Sequence, residues 1–111
     1  MSFKNTIFLI GALKNKHLHT ECLPPTILVI DFGATFATLQ WDPMKGAEHY
    51  KIFMRVVETG KKVTFDKVKG ETYKVEGLRA THTYSFQGVC VNKWGVDGKL
   101  GKASAVLKGS L

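Results

Sequence analysis

The chain has little cysteine and little proline, two and three residues respectively among 111. No apolar run approaches the about 20 residues needed to cross a bilayer as a helix. Two cysteines are too few for a small scaffold in which several disulfides replace a core. Cys22 and Cys90 could close one bridge, but Cys22 lies ahead of the folded region and Cys90 sits inside an apolar run. The sequence therefore favours two free thiols, with Cys90 a small buried hydrophobe, and leaves the redox compartment open. Phosphate cradles are missing as well: Gly95 and Gly98 fall between β-type runs, not at the start of a helical pattern, so no helix N-terminus presents converging amides. The four histidines, His17, His19, His49 and His82, are scattered, and none accompanies a nucleophile in a recognisable motif. These absences argue against an enzyme, a cofactor and a small-molecule substrate. No Asn-x-Ser/Thr acceptor, internal repeat or low-complexity tract occurs.

What is present is ordinary globular material. Hydrophobic residues make up 44% and charged residues 23%, which fits one folded domain. Residues 1–22 differ from the rest, with Lys4, the run Ile7-Phe8-Leu9-Ile10-Gly11-Ala12-Leu13, and then Lys14 and Lys16. A basic start and a short apolar core suit a signal peptide, although lysines follow immediately and no small-x-small cleavage site precedes His17. An extra strand or an unordered leader are the other readings. The group His17-x-His19-x-x-Cys22, with Glu21, offers soft ligands but matches no zinc module and lacks a fourth ligand, so no metal site is expected.

From Leu23 the chain reads as short β-type runs between turn residues. Pro24-Pro25 marks the boundary, residues 26–32 form a first strand, and Gly33 breaks it. In residues 35–41, Thr35, Ala37, Leu39 and Trp41 share one face. In the third strand Tyr50, Ile52, Met54 and Val56 alternate with His49, Lys51, Phe53 and Arg55. Glu58-Thr59-Gly60-Lys61 reads as a hairpin turn, followed by a return strand at Val63 and Phe65 and a lysine-bearing loop to Gly70. Tyr73, Val75 and Leu78 lead to the longest strand, residues 82–92, with Tyr84, Phe86, Gly88 and Cys90 inward and Val89 and Val91 outward. Residues 93–99 form a loop and residues 100–107 a last strand. The expectation is all-β, with seven antiparallel strands.

Several residues together carry a resemblance to the fibronectin type III family over residues 23–111. They are Pro25, Trp41 before Asp42-Pro43, Tyr50-x-Ile52, Gly77-Leu78 with Tyr84 six positions after the leucine, and Asn92-x-x-Gly95. The resemblance implies an immunoglobulin-like sandwich in which Tyr84 buries its ring at a corner and hydrogen-bonds the backbone just upstream. Gly88 departs from the pattern, because the family usually has a branched aliphatic there; Phe36 or Met54 fills the space, or the core is thin. The 93–99 loop lacks Arg-Gly-Asp, which excludes that route to integrins, and the tryptophan-serine repeat of cytokine-receptor members is absent.

The formal net charge of +7 invites a polyanion, heparin-like or nucleic acid. The family's loop arrangement, however, puts Lys45, Lys67, Lys69, Lys93 and Lys99 at one pole together with Asp42, Glu48, Asp66, Glu71 and Asp97, which is no basic patch. The row Lys51, Arg55 and Lys102 is a modest footprint, so nucleic acid is disfavoured. More informative is an apolar group that the resemblance places on one sheet face: Phe53, Val89 and Val91, with Trp94 and Val96 in the adjoining loop. The expected role is a non-enzymatic protein-binding or adhesion module that meets another protein there, with a polyanion binder or a structural spacer as alternatives. The apolar edge strand at residues 26–32 is a second route to pairing. The family resemblance leans towards an extracellular setting; partner and oligomeric state stay open.

Overall fold

A computed structural model of the chain describes residues 22–104 and 107–108. Seven strands run in order: β1 (Leu28–Phe32), β2 (Ala37–Gln40), β3 (Ala47–Val56), β4 (Lys62–Val68), β5 (Thr72–Val75), β6 (Thr83–Asn92) and β7 (Leu107–Lys108). They form two antiparallel sheets, β1-β2-β5 and β4-β3-β6-β7. The expected all-β immunoglobulin-like sandwich is what forms. Among the described residues there is no helix, and so none long and apolar enough to cross a membrane.

Alternation built the core as expected. Ala37, Leu39 and Trp41 from the first sheet meet Ile52, Met54, Tyr84 and Phe86 from the second, all buried. Tyr50 packs edge-on against Trp41, ring centroids 5.3 Å apart, and its hydroxyl accepts the Met44 backbone N–H at 2.8 Å. The Trp41 indole N–H is buried and has no acceptor among the described residues. Tyr84 does what its spacing implies: the hydroxyl accepts the Arg79 N–H at 2.8 Å, tying the corner to the core. Gly60 takes φ 74° in the β3–β4 turn, a conformation glycine adopts without steric cost.

The return strand runs further than expected, to Val68, by way of a bulge. Ile52 faces Phe65 but Tyr50 faces Val68, so three steps on β4 match two on β3. Lys67 absorbs the extra residue at φ 55°, its N–H bonded to the Asp66 carboxylate at 2.8 Å. Phe65 and Val68 can then both pack on the core.

Three expectations about the chain ends are corrected. Cys22 and Cys90 are not free thiols; they form a disulfide, and both are buried. Cys22 therefore belongs with the sandwich and not with the leader, whose remaining residues lie outside those described. The space at Gly88 is filled neither by Phe36 nor by Met54. A Cβ there would sit 2.9 Å from Ile27 Cδ1 and 3.0 Å from Pro25 Cγ, so the stretch before β1 supplies the missing volume. Finally, residues 98–104 are not a regular strand. Gly98, Gly101 and Ser104 donate to the carbonyls of Cys90, Gly88 and Phe86, three residues advancing for every two on β6. The regular pairing of β7 begins only at Leu107. Gly98 and Gly101 lack the side chains that would collide with the carbonyls of Cys22 and Pro25, so the segment before β1 lies along residues 98–101.

At the start of β6, Glu58 accepts the Thr83 N–H at 2.8 Å and the Thr83 hydroxyl at 2.6 Å. Those bonds, the hydroxyl first and the backbone N–H second, hold the carboxyl at about 2, below its ordinary 4.5.

Two outcomes are expected. Replacing both cysteines, Cys22→Ala with Cys90→Ala, should lower unfolding free energy in urea by about 2–4 kcal/mol, because the bridge closes a long loop in the unfolded chain. The stabilisation from Glu58 is complete above pH 4.5 and fades as pH falls towards 2. Thr83→Val should move the carboxyl titration followed by NMR upward and flatten that acid loss; an unmoved titration would discard the assignment to Thr83.

Candidate interaction surface

The outer face of the four-stranded sheet is set by register. On β3, Phe53 lies between Thr64 of β4 and Gln87 of β6, Lys51 lies beside Val89, and His49 beside Val91. An open groove of about 750 Å³ runs over this face, with Phe53 and Val89 beneath it, Thr64 and Gln87 at its sides, and Leu100 beside it. Arg55 and Lys62, neighbours across β3 and β4, supply its charge, and no carboxylate lines it among the described residues. The Gln87 carboxamide donates to the Gly101 carbonyl at 3.0 Å, which pins the flank that carries Leu100.

The predicted apolar group is brought together only in part. Val89 and Val91 do lie on the outer face, but they are 5% and 2% exposed, so the expectation of a solvent-facing valine pair is corrected. Their cover has an identifiable source. Asp97 pairs with Val91, and the Lys51 ammonium reaches the Asp97 carboxylate at 3.0 Å, so the lysine stem crosses the valines to get there. The hydrogen bond to Asp97 holds the Lys51 ammonium above its ordinary value. This crossing divides the group, with Phe53 and the edge of Val89 in the groove and Trp94 and Val96 on the loop.

The loop is built by Asn92. Its buried carboxamide oxygen accepts the N–H groups of Trp94 and Val96, both at 3.0 Å, while its carbonyl accepts Gly95 N–H at 2.9 Å. Gly95 takes φ 79°, which explains the Asn92-x-x-Gly95 spacing. The product is a fixed turn that leaves Trp94 50% and Val96 37% exposed, with the Lys93 ammonium 4.7 Å from the indole centroid.

Other charges on this side pair off. Glu48 is bonded by His49 and by Lys69, the latter at 3.0 Å, and these bonds, His49 first, hold its carboxyl below the usual range. The cationic row of Lys51, Arg55 and Lys102 is accordingly weakened at Lys51 by Asp97. The residues missed in the sequence were Leu100, Lys62, Thr64 and Gln87. Register could have supplied the last two, since they flank Phe53; Leu100 is exposed because its stretch forms no regular strand. A second apolar surface lies on edge strand β1, where Leu28, Ile30 and Phe32 are about half exposed. A register shift between Val29 and Asp31 interrupts its ladder.

No protein-family model and no curated protein matches the chain. Solved structures do. The twitchin kinase region from C. elegans superposes with a TM-score of 0.69 at 26% identity, over 79% of this chain but 16% of that one. The FN5 domain of Drosophila Lar gives 0.61 at 25% identity, over 78% of this chain and 92% of that domain. Module A71 of titin from human cardiac muscle gives 0.64 at 19% identity, over 76% and 88%. Together with the Tyr84 corner and the two-sheet topology, these likenesses define the described residues as a sandwich of the fibronectin type III type. This chain thus spans a small part of the twitchin region and most of a single Lar or titin module.

The Lys51 cover is testable. Asp97→Asn should cost under about 1 kcal/mol, as expected of an exposed ion pair. Lys51→Ala should uncover Val89 and Val91 and raise the fluorescence of a hydrophobic dye, whereas dye binding equal to wild type would mean that something other than Lys51 shields them.

Proposed function

We propose that the module is a non-enzymatic protein-interaction unit, acting in adhesion or assembly, and that it meets its partner on the outer face of the four-stranded sheet. The observation that carries this reading is the groove over Phe53 and Val89, rimmed by Arg55 and Lys62, with the exposed Trp94 turn beyond it. Interfaces commonly combine an aromatic anchor, a partly apolar floor and arginine at the margin. Phe53, Val89, Trp94 and Val96 are the proposed contacts, and Val91 supports them from beneath the Lys51–Asp97 bridge. The buried Cys22–Cys90 disulfide supports a setting outside the reducing cytosol, in keeping with an extracellular module.

The test is affinity capture with wild type, Phe53→Ser and Trp94→Ala at low and high salt, with circular dichroism to confirm folding. Each substitution should lower recovery of the specific partner by about tenfold, the usual effect of losing an anchor, and salt should matter little. Recovery that collapses with salt for all three proteins would instead support the polyanion reading. Equal recovery under every condition would leave the spacer reading.

A further inference from the structure

We infer that the groove over Phe53 takes an extended acidic segment of a protein partner, one that carries a large apolar side chain and, two positions from it, an aspartate or glutamate. The inference rests on the reading of this face as the interface and adds the chemistry of what meets it. Phe53 and Arg55 are two positions apart on β3, so they share a face at a spacing of about 7 Å. Lys62 of β4 faces Arg55. An apolar place and a cationic place therefore stand one strand repeat apart. A partner segment in extended conformation has the same repeat, so two successive side chains on one of its faces reach both places.

The apolar place still has surface to bury. Phe53 is partly exposed and Leu100 beside it is 52% exposed, so an anchoring side chain covers groups that water now touches; Met54 and Val89, both buried, only close the floor. The cationic place keeps its sign when its neighbours are included. Arg55 and Lys62 are exposed, and neither forms an ion pair among the described residues. Glu58 is tied to Thr83, two positions along β6 from the Ser85 that faces Arg55, and the charged group that acts on it is His82. It offsets part of the charge at this end, while Lys102, exposed next to the Gly101 that Gln87 holds, adds to it. Asp66 and Asp97 act on Lys51, at the other end of the face. These unequal ends give the segment a direction: its acid belongs at Arg55 and Lys62, and not beside the Lys51–Asp97 bridge. So few cations suit one acidic side chain and not a long polyanion, and exposed pairs of this kind set register and specificity more than affinity.

The experiment selects a displayed library of random short peptides on the full chain, with circular dichroism to confirm that each variant is folded. Enriched clones should carry an aromatic or large aliphatic residue with Asp or Glu two positions from it, always on the same side. Their affinity should fall about tenfold on Phe53→Ser, as for loss of an anchor, and about threefold to tenfold on Arg55→Gln with Lys62→Gln, as for loss of two exposed pairs. Repeating the selection on Arg55→Glu with Lys62→Glu should replace the acid by Lys or Arg at the same position. Both sites are exposed, so these changes leave the core as it is. Clones that need Phe53 but show no acidic preference, or a preference that the charge reversal does not switch, would overturn the inference and leave the interface reading standing. Clones indifferent to Phe53→Ser, or no enrichment at all, would overturn both.

Discussion

The contact on which the rest of this sandwich depends is the one between the stretch ahead of β1 and the middle of β6. Pro25 and Ile27 occupy the volume that Gly88 leaves free, the carbonyls of Cys22 and Pro25 lie against Gly98 and Gly101, and the disulfide fastens one end of the contact to Cys90. Three positions without side chains and one covalent bond thus let the stretch ahead of β1 lie against both β6 and residues 98–101. Larger side chains at Gly98 or Gly101 would meet backbone, which has no rotamer by which to yield. The irregular course of residues 98–104 follows, because a stretch that accommodates these carbonyls cannot also keep step with β6.

That course also shapes the outer face. With Leu100 exposed and Gly101 bonded to Gln87, the edge of the groove is made by a stretch that has left the regular ladder. Asn92 does the same for the loop, turning a buried amide into the frame for an exposed tryptophan. Elsewhere in the core two buried tyrosines tie loops to the sheets: the hydroxyls of Tyr50 and Tyr84 each hold a backbone N–H of a connecting segment. Packing and loop position are thus set by the same side chains.

Much of this was legible in the sequence wherever one strand's own periodicity decides the outcome. The alternation of Tyr50, Ile52, Met54 and Val56 gave the buried face of β3, Gly60 its turn, and the spacing from Leu78 to Tyr84 the corner hydrogen bond. What could not be read depends on segments distant along the chain. The filler for Gly88 lies some sixty positions upstream, and the disulfide joins residues 68 apart. The bulge at Asp66 and Lys67 was hidden because strict alternation does not register an added residue. Alternation placed Val89 and Val91 on the outer face correctly, but it tells only which way a side chain points. It says nothing of what lies over it, and here a lysine from the neighbouring strand does.

The disulfide has a mechanical side as well. Between Cys22 and Cys90 the backbone is a closed covalent ring that contains β1 to β5 and most of β6. Tension arriving from the N-terminal direction enters the ring at Cys22 and leaves through Cys90 without having to draw out anything in between. Among the described residues, those beyond Cys90, including the Trp94 turn and the stretch along β6, lie outside the ring and can be extended under load. A module joined this way behaves under force as a short tether attached to a solid block.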